Sequence, residues 1–155
     1  MQLQATSISI DNAVAADIPT LCLLLEDLFG IEADFEADTE AQQRGLAMLI
    51  AAPDRGIIKV ARTTEGKVIG MVSAQLIIST AQGTPAAWLE DMIVDKDYRH
   101  AGIGRTLLDA ILQWCKDQGV TRAQILVDTE NTPAVGYYQH LGWQPTQLQA
   151  RRMFL

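Results

Sequence analysis

Residues 88–105 read WLEDMIVDKDYRHAGIGR, and this stretch decides the fold. Its first seven residues are mostly apolar, which predicts a strand over 88–94. Glycines then precede a run with helical apolar spacing, which predicts a helix from about Gly102 to Gln118. Arg99 and Arg105 lie on either side of the glycines. A strand that enters a helix through such a turn is typical of layered α/β domains.

The turn between this strand and helix has the composition of an anion site. The first turn of a helix has unpaired N–H groups and about half a positive charge. Glycine lets an anion approach such amides closely, so residues 99–105 predict a cradle for a pyrophosphate. A glycine-rich turn beside surface arginines is the alternative interpretation. The stretch contains neither Gly-x-Gly-x-x-Gly nor Gly-Lys-Ser/Thr, so it is neither a dinucleotide fingerprint nor a Walker loop.

The rest of the chain extends this pattern in the order β-α-α-β-β-β-α-β-α-β. Asp17 is predicted to cap the first helix, which ends at Gly30, and Thr39 with Gln42 is predicted to form a capping box for the second. We therefore expect an α/β (α+β layered) domain with a mixed sheet and helices on both faces, in one domain over residues 1–155. The predicted strands cover about 6–10, 57–62, 68–78, 88–94, 123–128 and 147–155, and the predicted helices about 17–30, 39–52, 102–118 and 133–141.

The charge balance narrows the classes of partner. Twelve basic and 19 acidic residues give a net charge of -7. A chain this acidic repels phosphate backbones, so no nucleic-acid partner is expected. The excess of acidic residues either favours a cationic partner or only increases the solubility of the protein. The acidic stretch 32–38 is likewise either a rim that attracts cations or a solvated loop.

The positions of the cysteines and histidines, together with the hydropathy pattern, indicate the cell compartment and whether a metal site is expected. Cys22 and Cys115 lie on apolar helical faces, which predicts reduced core thiols rather than a disulfide. His100 and His140 are not close to either cysteine in sequence, so no metal site is expected. No apolar run approaches about 20 residues, and no basic-then-apolar leader is visible. We therefore expect a cytoplasmic protein without a membrane segment.

A second motif lies at residues 131–143, which read NTPAVGYYQHLGW. Thr132 and Pro133 suit the cap and first position of a short helix. Helical spacing places Tyr138 on one face with Ala134 and Leu141, so its ring is predicted to point inward. A core tyrosine without a chemical role is the alternative interpretation.

With these features in this order, the chain resembles the GNAT superfamily of acetyl-CoA-dependent N-acetyltransferases. The resemblance rests on LEDMIV (89–94), RHAGIG (99–104) and the 131–143 motif. It implies a sheet that splays at its centre, where the main chain of Met92 and Val94 pairs with the pantetheine arm of acetyl-CoA. The cofactor-binding residues that it implies are Met92, Ile93, Val94, Arg99, His100, Ala101, Gly102, Ile103, Gly104, Arg105, Asn131 and Tyr138.

The resemblance implies transfer of an acetyl group from acetyl-CoA directly to the primary amine of a small molecule or peptide. An alkylamine with a pKa of about 10.4 is mostly protonated at pH 7, and freeing its lone pair costs about 4–5 kcal/mol. Glu90 is the predicted base, acting through water, and a bulge in the strand could give this role to Asp91 instead. Tyr138 is the predicted acid that protonates the CoA thiolate.

Two further possibilities follow from the same sequence. The rival function is a non-catalytic acyl-CoA-binding regulatory domain that keeps the cradle without turnover. The apolar residues Met153, Phe154 and Leu155 in the predicted last strand permit a homodimer.

Overall fold

The computed structural model describes residues 7–31 and 37–155. The residues described up to Ile125 form one compact unit, and Leu126–Leu155 form a second. The elements of the first unit are β1 (Ile8–Asn12), a 3-10 turn (Ala15–Asp17), α1 (Ile18–Ile31), α2 (Thr39–Ile50), β2 (Gly56–Thr63), β3 (Val68–Ser79), β4 (Thr84–Val94), a second 3-10 turn (Lys96–Tyr98), α3 (Ile103–Asp117) and β5 (Arg122–Ile125). The second unit contains α4 (Thr132–His140).

The first unit is built on a five-stranded sheet in the order β1-β2-β3-β4-β5. The first four strands are antiparallel, and β5 runs parallel to β4. A parallel pair needs a crossover, and α3 supplies it. Gly66, with a φ of 87°, closes the tight turn between β2 and β3.

Helices cover both faces of this sheet. Met71 packs in one apolar cluster with α1 and α2. Its neighbour Gly70 faces α3, because a Cβ added there would lie 3.0 Å from Leu107 Cδ1. Successive residues of a strand point to opposite faces, so α1 and α2 lie on one side and α3 on the other. The mixed sheet and its two helical layers confirm the predicted fold class.

The ends of several elements differ from their predicted positions. β1 begins two residues later than predicted, α1 continues one residue past Gly30, and β5 stops at Ile125. Asp17 does not cap α1, because its carboxylate accepts hydrogen bonds from the Val14 amide and the Arg62 guanidinium. A buried carboxylate is stable only with such compensation, and that requirement decides its partners.

The capping box predicted for α2 is wrong. Asp38, one residue before Thr39, caps the helix by accepting a hydrogen bond from the Ala41 amide at 3.1 Å. Asp38 suits this place because its carboxylate lies beside the positive end of the helix dipole. Gln42 is therefore one residue too late to complete a capping box, and its side chain turns to the interior instead.

The last strand predicted for residues 147–155 is also wrong, since the structure assigns no strand to this segment. A strand is stable only when a partner strand and a buried face support it. Met153, Phe154 and Leu155 are exposed, so burial does not support a strand here.

The Asp17–Arg62 pair is expected to stabilise the fold measurably. The guanidinium approaches the carboxylate oxygens at 2.7 and 2.6 Å, and the Asp17 side chain is only 8% exposed. Hydrogen bonding to Arg62 lowers the pKa of Asp17. We expect Asp17→Asn to reduce the free energy of unfolding by about 3 kcal/mol at pH 7. Urea denaturation measures this loss.

The same pair predicts a dependence of stability on pH. Because the folded pKa lies below the unfolded value of about 3.9, the pair stabilises the protein above that pH and loses this effect as pH falls through the folded pKa. Asp11 also contacts Arg62 but is 47% exposed, so Asp11→Asn serves as the control and should cost under about 1 kcal/mol. Equal losses for the two variants would contradict the account.

Within the described residues, no helix is both long and apolar enough to cross a membrane.

Candidate functional site

A β-bulge interrupts β4 within the first predicted site segment. Glu90 pairs with Ser73 and Ile93 pairs with Met71, so Asp91 and Met92 together lie opposite Val72. Asp91 has a φ of 57°, in the left-handed region that favours glycine. A non-glycine residue held in that region costs of order 1–3 kcal/mol, and such strain is concentrated at functional sites.

The bulge brings two carboxylates to the same cavity. Glu90 and Asp91 would point to opposite faces of a regular strand. Here both line an open cavity of about 560 Å³, which α1 and α2 border with the apolar side chains of Leu25, Phe29, Leu46 and Leu49. We call this the acceptor cavity. Two acids beside an apolar wall can bind a cation or remove a proton.

Hydrogen bonds hold Glu90 in place. The Trp88 Nε1 group donates to Glu90 Oε1 at 3.0 Å, and the Ser73 hydroxyl donates to the Glu90 carbonyl at 3.1 Å. Glu90 itself is exposed, so it can exchange protons with water. Asp91 is half-buried.

The second half of β4 has an open edge. The ladder between β4 and β5 ends where Leu89 pairs with Ile125. Beyond this point, no described strand pairs with the β5 side of β4 at Glu90–Val94, which includes Met92 and Val94. An open strand edge can pair with an extended ligand as if that ligand were a further strand. The Val94 carbonyl accepts a hydrogen bond from Arg99 Nε at 2.9 Å.

The loop after β4 has unbonded amides. Gly102 has a φ of 78° and precedes α3 without a side-chain cap. Within the described ranges, no amide from Arg99 to Arg105 donates a hydrogen bond to another residue. We call these seven amides the amide cradle. The positive end of the α3 dipole and two guanidinium groups favour an anion there.

The cradle also contains a residue whose conformation the sequence did not predict. His100 has a φ of 67°, although it is not glycine. Its side chain is exposed, and Gly102 two residues later has a positive φ as well.

The second unit contains the other predicted site residues. Asn131, not Thr132, caps α4, and its side-chain oxygen accepts a hydrogen bond from the Ala134 amide at 3.2 Å. Tyr138 is half-buried, and its ring meets the Trp143 ring edge-on at 6.0 Å between centroids. Tyr137, the preceding residue of the helix, is 38% exposed.

The cysteines are poorly suited to nucleophilic catalysis. Cys22 and Cys115 are buried free thiols. Burial raises the pKa of Cys115 to about 11 and also raises the pKa of Cys22. Both thiols therefore stay protonated at neutral pH, which opposes an acyl-enzyme route. Across residues 7–31 and 37–155, no group of three or more His, Cys, Asp or Glu residues is arranged to hold a metal ion.

Sequence reasoning missed Gln42 as a site residue. Its side chain lines the acceptor cavity, and the residue is only 8% exposed. Its position in the helix could have indicated this role. Gln42, Leu46 and Leu49 have the spacing of one helical face, and a polar residue on an otherwise apolar face is unexpected.

Comparison with known proteins identifies the family. The family model described as "Acetyltransferase (GNAT) family" matches residues 20–143. The chain belongs to the GNAT acetyltransferase family. This GNAT chain is 29% identical to human N-acetyltransferase 8 over 93 residues, which cover 60% of the chain and 41% of the human protein. The match thus spans less than half of that relative's own length.

Two solved structures share the fold of this GNAT chain. A possible acetyltransferase from Clostridium difficile 630 aligns with a TM-score of 0.84 and 23% identity, covering 96% of this chain and 97% of its own. Aminoglycoside N-acetyltransferase AAC(6')-Iy, in complex with CoA, aligns with a TM-score of 0.82 and 18% identity, covering 99% of each chain. At these identities the likeness concerns the fold alone.

Proposed function

We propose that this chain is an N-acetyltransferase that moves an acetyl group from acetyl-CoA directly to a primary amine of a small molecule or peptide. The observation that carries the proposal is the amide cradle at the start of α3, which follows the open edge of β4 along the chain. We also propose that residues 1–155 form one domain. The family match supports this, because residues 20–143 include parts of both units.

The residues present fit acetyl-CoA. Seven unbonded amides and the positive end of a helix suit a diphosphate, and the open edge at Met92 and Val94 suits the amide groups of a pantetheine arm. The family resemblance adds Asn131 and Tyr138 near the thioester. Acetyl-CoA supplies the acetyl group as a thioester, whose carbon–sulfur bond is exchanged for a carbon–nitrogen bond to the amine. The amide of Met92 would polarise the thioester carbonyl.

Glu90 is the proposed base. It takes the proton from the ammonium group through a water molecule and so frees the nitrogen lone pair. Its contact with Trp88 and its place on the cavity wall support this role. Asp91 remains the alternative because it lines the same cavity.

Tyr138 is the proposed acid. Its hydroxyl donates a proton to the sulfur that leaves, the acylated nitrogen loses its second proton to water, and solvent then restores the phenol. The matching family motif supports this role, and the half-buried ring is consistent with a phenol held in one orientation.

The acceptor cavity supports an amine with a positive charge. Asp38, Glu90 and Asp91 line it with carboxylates, against one guanidinium from Arg55. Most of the acidic stretch 32–38 lies outside the described residues, and Asp38 itself caps α2. A cytoplasmic location and a homodimer through Met153, Phe154 and Leu155 remain proposals, and light scattering would test the dimer.

Release of free CoA thiol from acetyl-CoA tests the proposed function directly. We expect turnover with at least one amine in a panel of alkylamines, amino sugars and dipeptide amides. Calorimetric binding of CoA without turnover on any of these amines would instead support the regulatory domain.

Substitution of the two carboxylates separately is expected to identify the base. Glu90→Gln should lower kcat/KM at pH 7 at least tenfold, and the rate should recover as pH rises because solvent then deprotonates the amine. Asp91→Asn is the matched control, and its kcat/KM should still fall at low pH as in the unmodified enzyme. If this fall at low pH is lost in Asp91→Asn but kept in Glu90→Gln, then Asp91 is the base.

A further inference from the structure

The buried amide of Gln42 has no hydrogen-bond partner in the part of the chain that the structure describes. Both of its polar atoms, Nε2 and Oε1, are shielded from water, and neither pairs with another described residue. An unpaired buried polar group costs about 1–3 kcal/mol, so an apolar side chain would stabilise the free protein better at this place. Each such group in a native fold requires an explanation, and a ligand that supplies the missing partners is one.

The position of Gln42 connects its amide with the proposed acceptor. Its side chain lines the acceptor cavity together with Glu90 and Asp91. The terminal χ3 torsion of glutamine has a broad energy profile, so the amide can rotate about its Cγ–Cδ bond at little cost. A ligand there must then offer one donor to Oε1 and one acceptor to Nε2.

We infer that Gln42 selects acceptors with a peptide group, so that the acceptor is the N-terminal amine of a peptide. This inference rests on the proposed function. A residue in an extended peptide offers its own N–H and C=O on the same side, as in a hydrogen-bonded pair of antiparallel strands. The Gln42 amide matches those two groups, while the cavity carboxylates face the cationic amine.

The cavity also has apolar walls that suit an aliphatic first side chain, formed by Leu25, Phe29, Leu46 and Leu49. Polar side chains lie in the same lining, among them Arg55, Ser73 and Gln75, so an amino sugar is included in the test. Gln42 is thus a specificity-determining residue rather than a catalytic one.

Two matched acceptors test this inference. The dipeptide amide Leu-Ala-NH₂ offers both groups, and its ester analogue replaces the N–H of the second residue with oxygen. For the unmodified enzyme, we expect KM for the dipeptide amide to be roughly tenfold lower than for the ester, with similar kcat. Gln42→Met should raise KM for the dipeptide to the ester's value and abolish the preference.

Gln43 supplies the control, because it is exposed on the next position of α2. Gln43→Met should keep the preference for the dipeptide amide. Gln42→Met should also melt at the same temperature or about 2–4 °C higher, since it removes an unpaired buried amide. A structural role alone would lower the melting temperature and leave the ratio of the two KM values unchanged.

The outcomes separate this inference from the proposed function. Turnover of any amine supports the proposed acetyltransferase activity, whether or not Gln42 affects the choice of acceptor. If Gln42→Met keeps the preference for the dipeptide amide, the inference is overturned. It is also overturned if the substitution changes KM for an amino sugar but not for the dipeptide amide. If no amine turns over, calorimetric binding of the two acceptors to the CoA-loaded chain replaces KM, and equal affinities overturn the inference.

Discussion

Replacement of Tyr138 by phenylalanine is expected to lower kcat by about 10²-fold or more, while the affinity for CoA changes little. The substitution removes one hydroxyl and keeps the ring, so its edge-on contact with Trp143 is retained. The loss then reports the proton that the phenol gives to the departing thiolate. Stopped-flow detection of thiol release gives kcat, and calorimetry gives the dissociation constant of CoA.

Tyr137 provides an internal control for this experiment. It is the preceding residue of α4, its ring lies 5.5 Å from that of Tyr138, and it is 38% exposed. Tyr137→Phe removes the same atom from the same helix and should leave kcat within about twofold of the unmodified enzyme. If Tyr138→Phe retains full kcat, the tyrosine is not the acid.

Substitution of Gly102 is expected to have the largest effect on CoA binding. Gly102→Asp adds a carboxylate to the amide cradle, where two unit charges about 4 Å apart interact by roughly 4 kcal/mol at an effective dielectric constant of 20. Solvent and salt screen part of this, so we expect the affinity for CoA to fall by about 10²-fold or more. Calorimetry with CoA measures the loss.

Gly102→Asn separates charge from shape in that experiment. Gly102 has a φ of 78°, a conformation that Asn and Asp tolerate better than other side chains, and no heavy atom lies within 4 Å of an added Cβ. The two variants therefore share size and backbone strain and differ only in charge. Gly102→Asn should bind CoA at least tenfold more tightly than Gly102→Asp. Equal affinities at low salt would show that no phosphate group lies at this loop.

Periodicity predicted the sheet and its helices because each element needs a continuous apolar face. The α3 stripe of Leu107, Leu108, Ile111 and Cys115 is buried as the sequence indicates. Element ends were predicted less well, since several side chains can cap the same helix. Asp38, not Thr39, caps α2, and Asn131, not Thr132, caps α4. In each case the side-chain oxygen accepts a hydrogen bond from an amide in the first turn of the helix.

Features that depend on tertiary contacts could not be read from local sequence. The bulge at Asp91 arises from the register between β3 and β4, which no single strand encodes. The unpaired state of Gln42 depends on what surrounds it in the folded chain. The cradle was predictable because glycine, arginine and a helix start are local features. The strand predicted at 147–155 does not form, because a strand requires a partner strand and local sequence does not supply one.

A crystal structure of the protein with CoA tests the central claim most directly. The account predicts that the diphosphate accepts hydrogen bonds from amides between Arg99 and Arg105, with the pantetheine arm along Met92 and Val94. Electron density for the diphosphate elsewhere on the chain, with the cradle amides bound to protein groups instead, would contradict it.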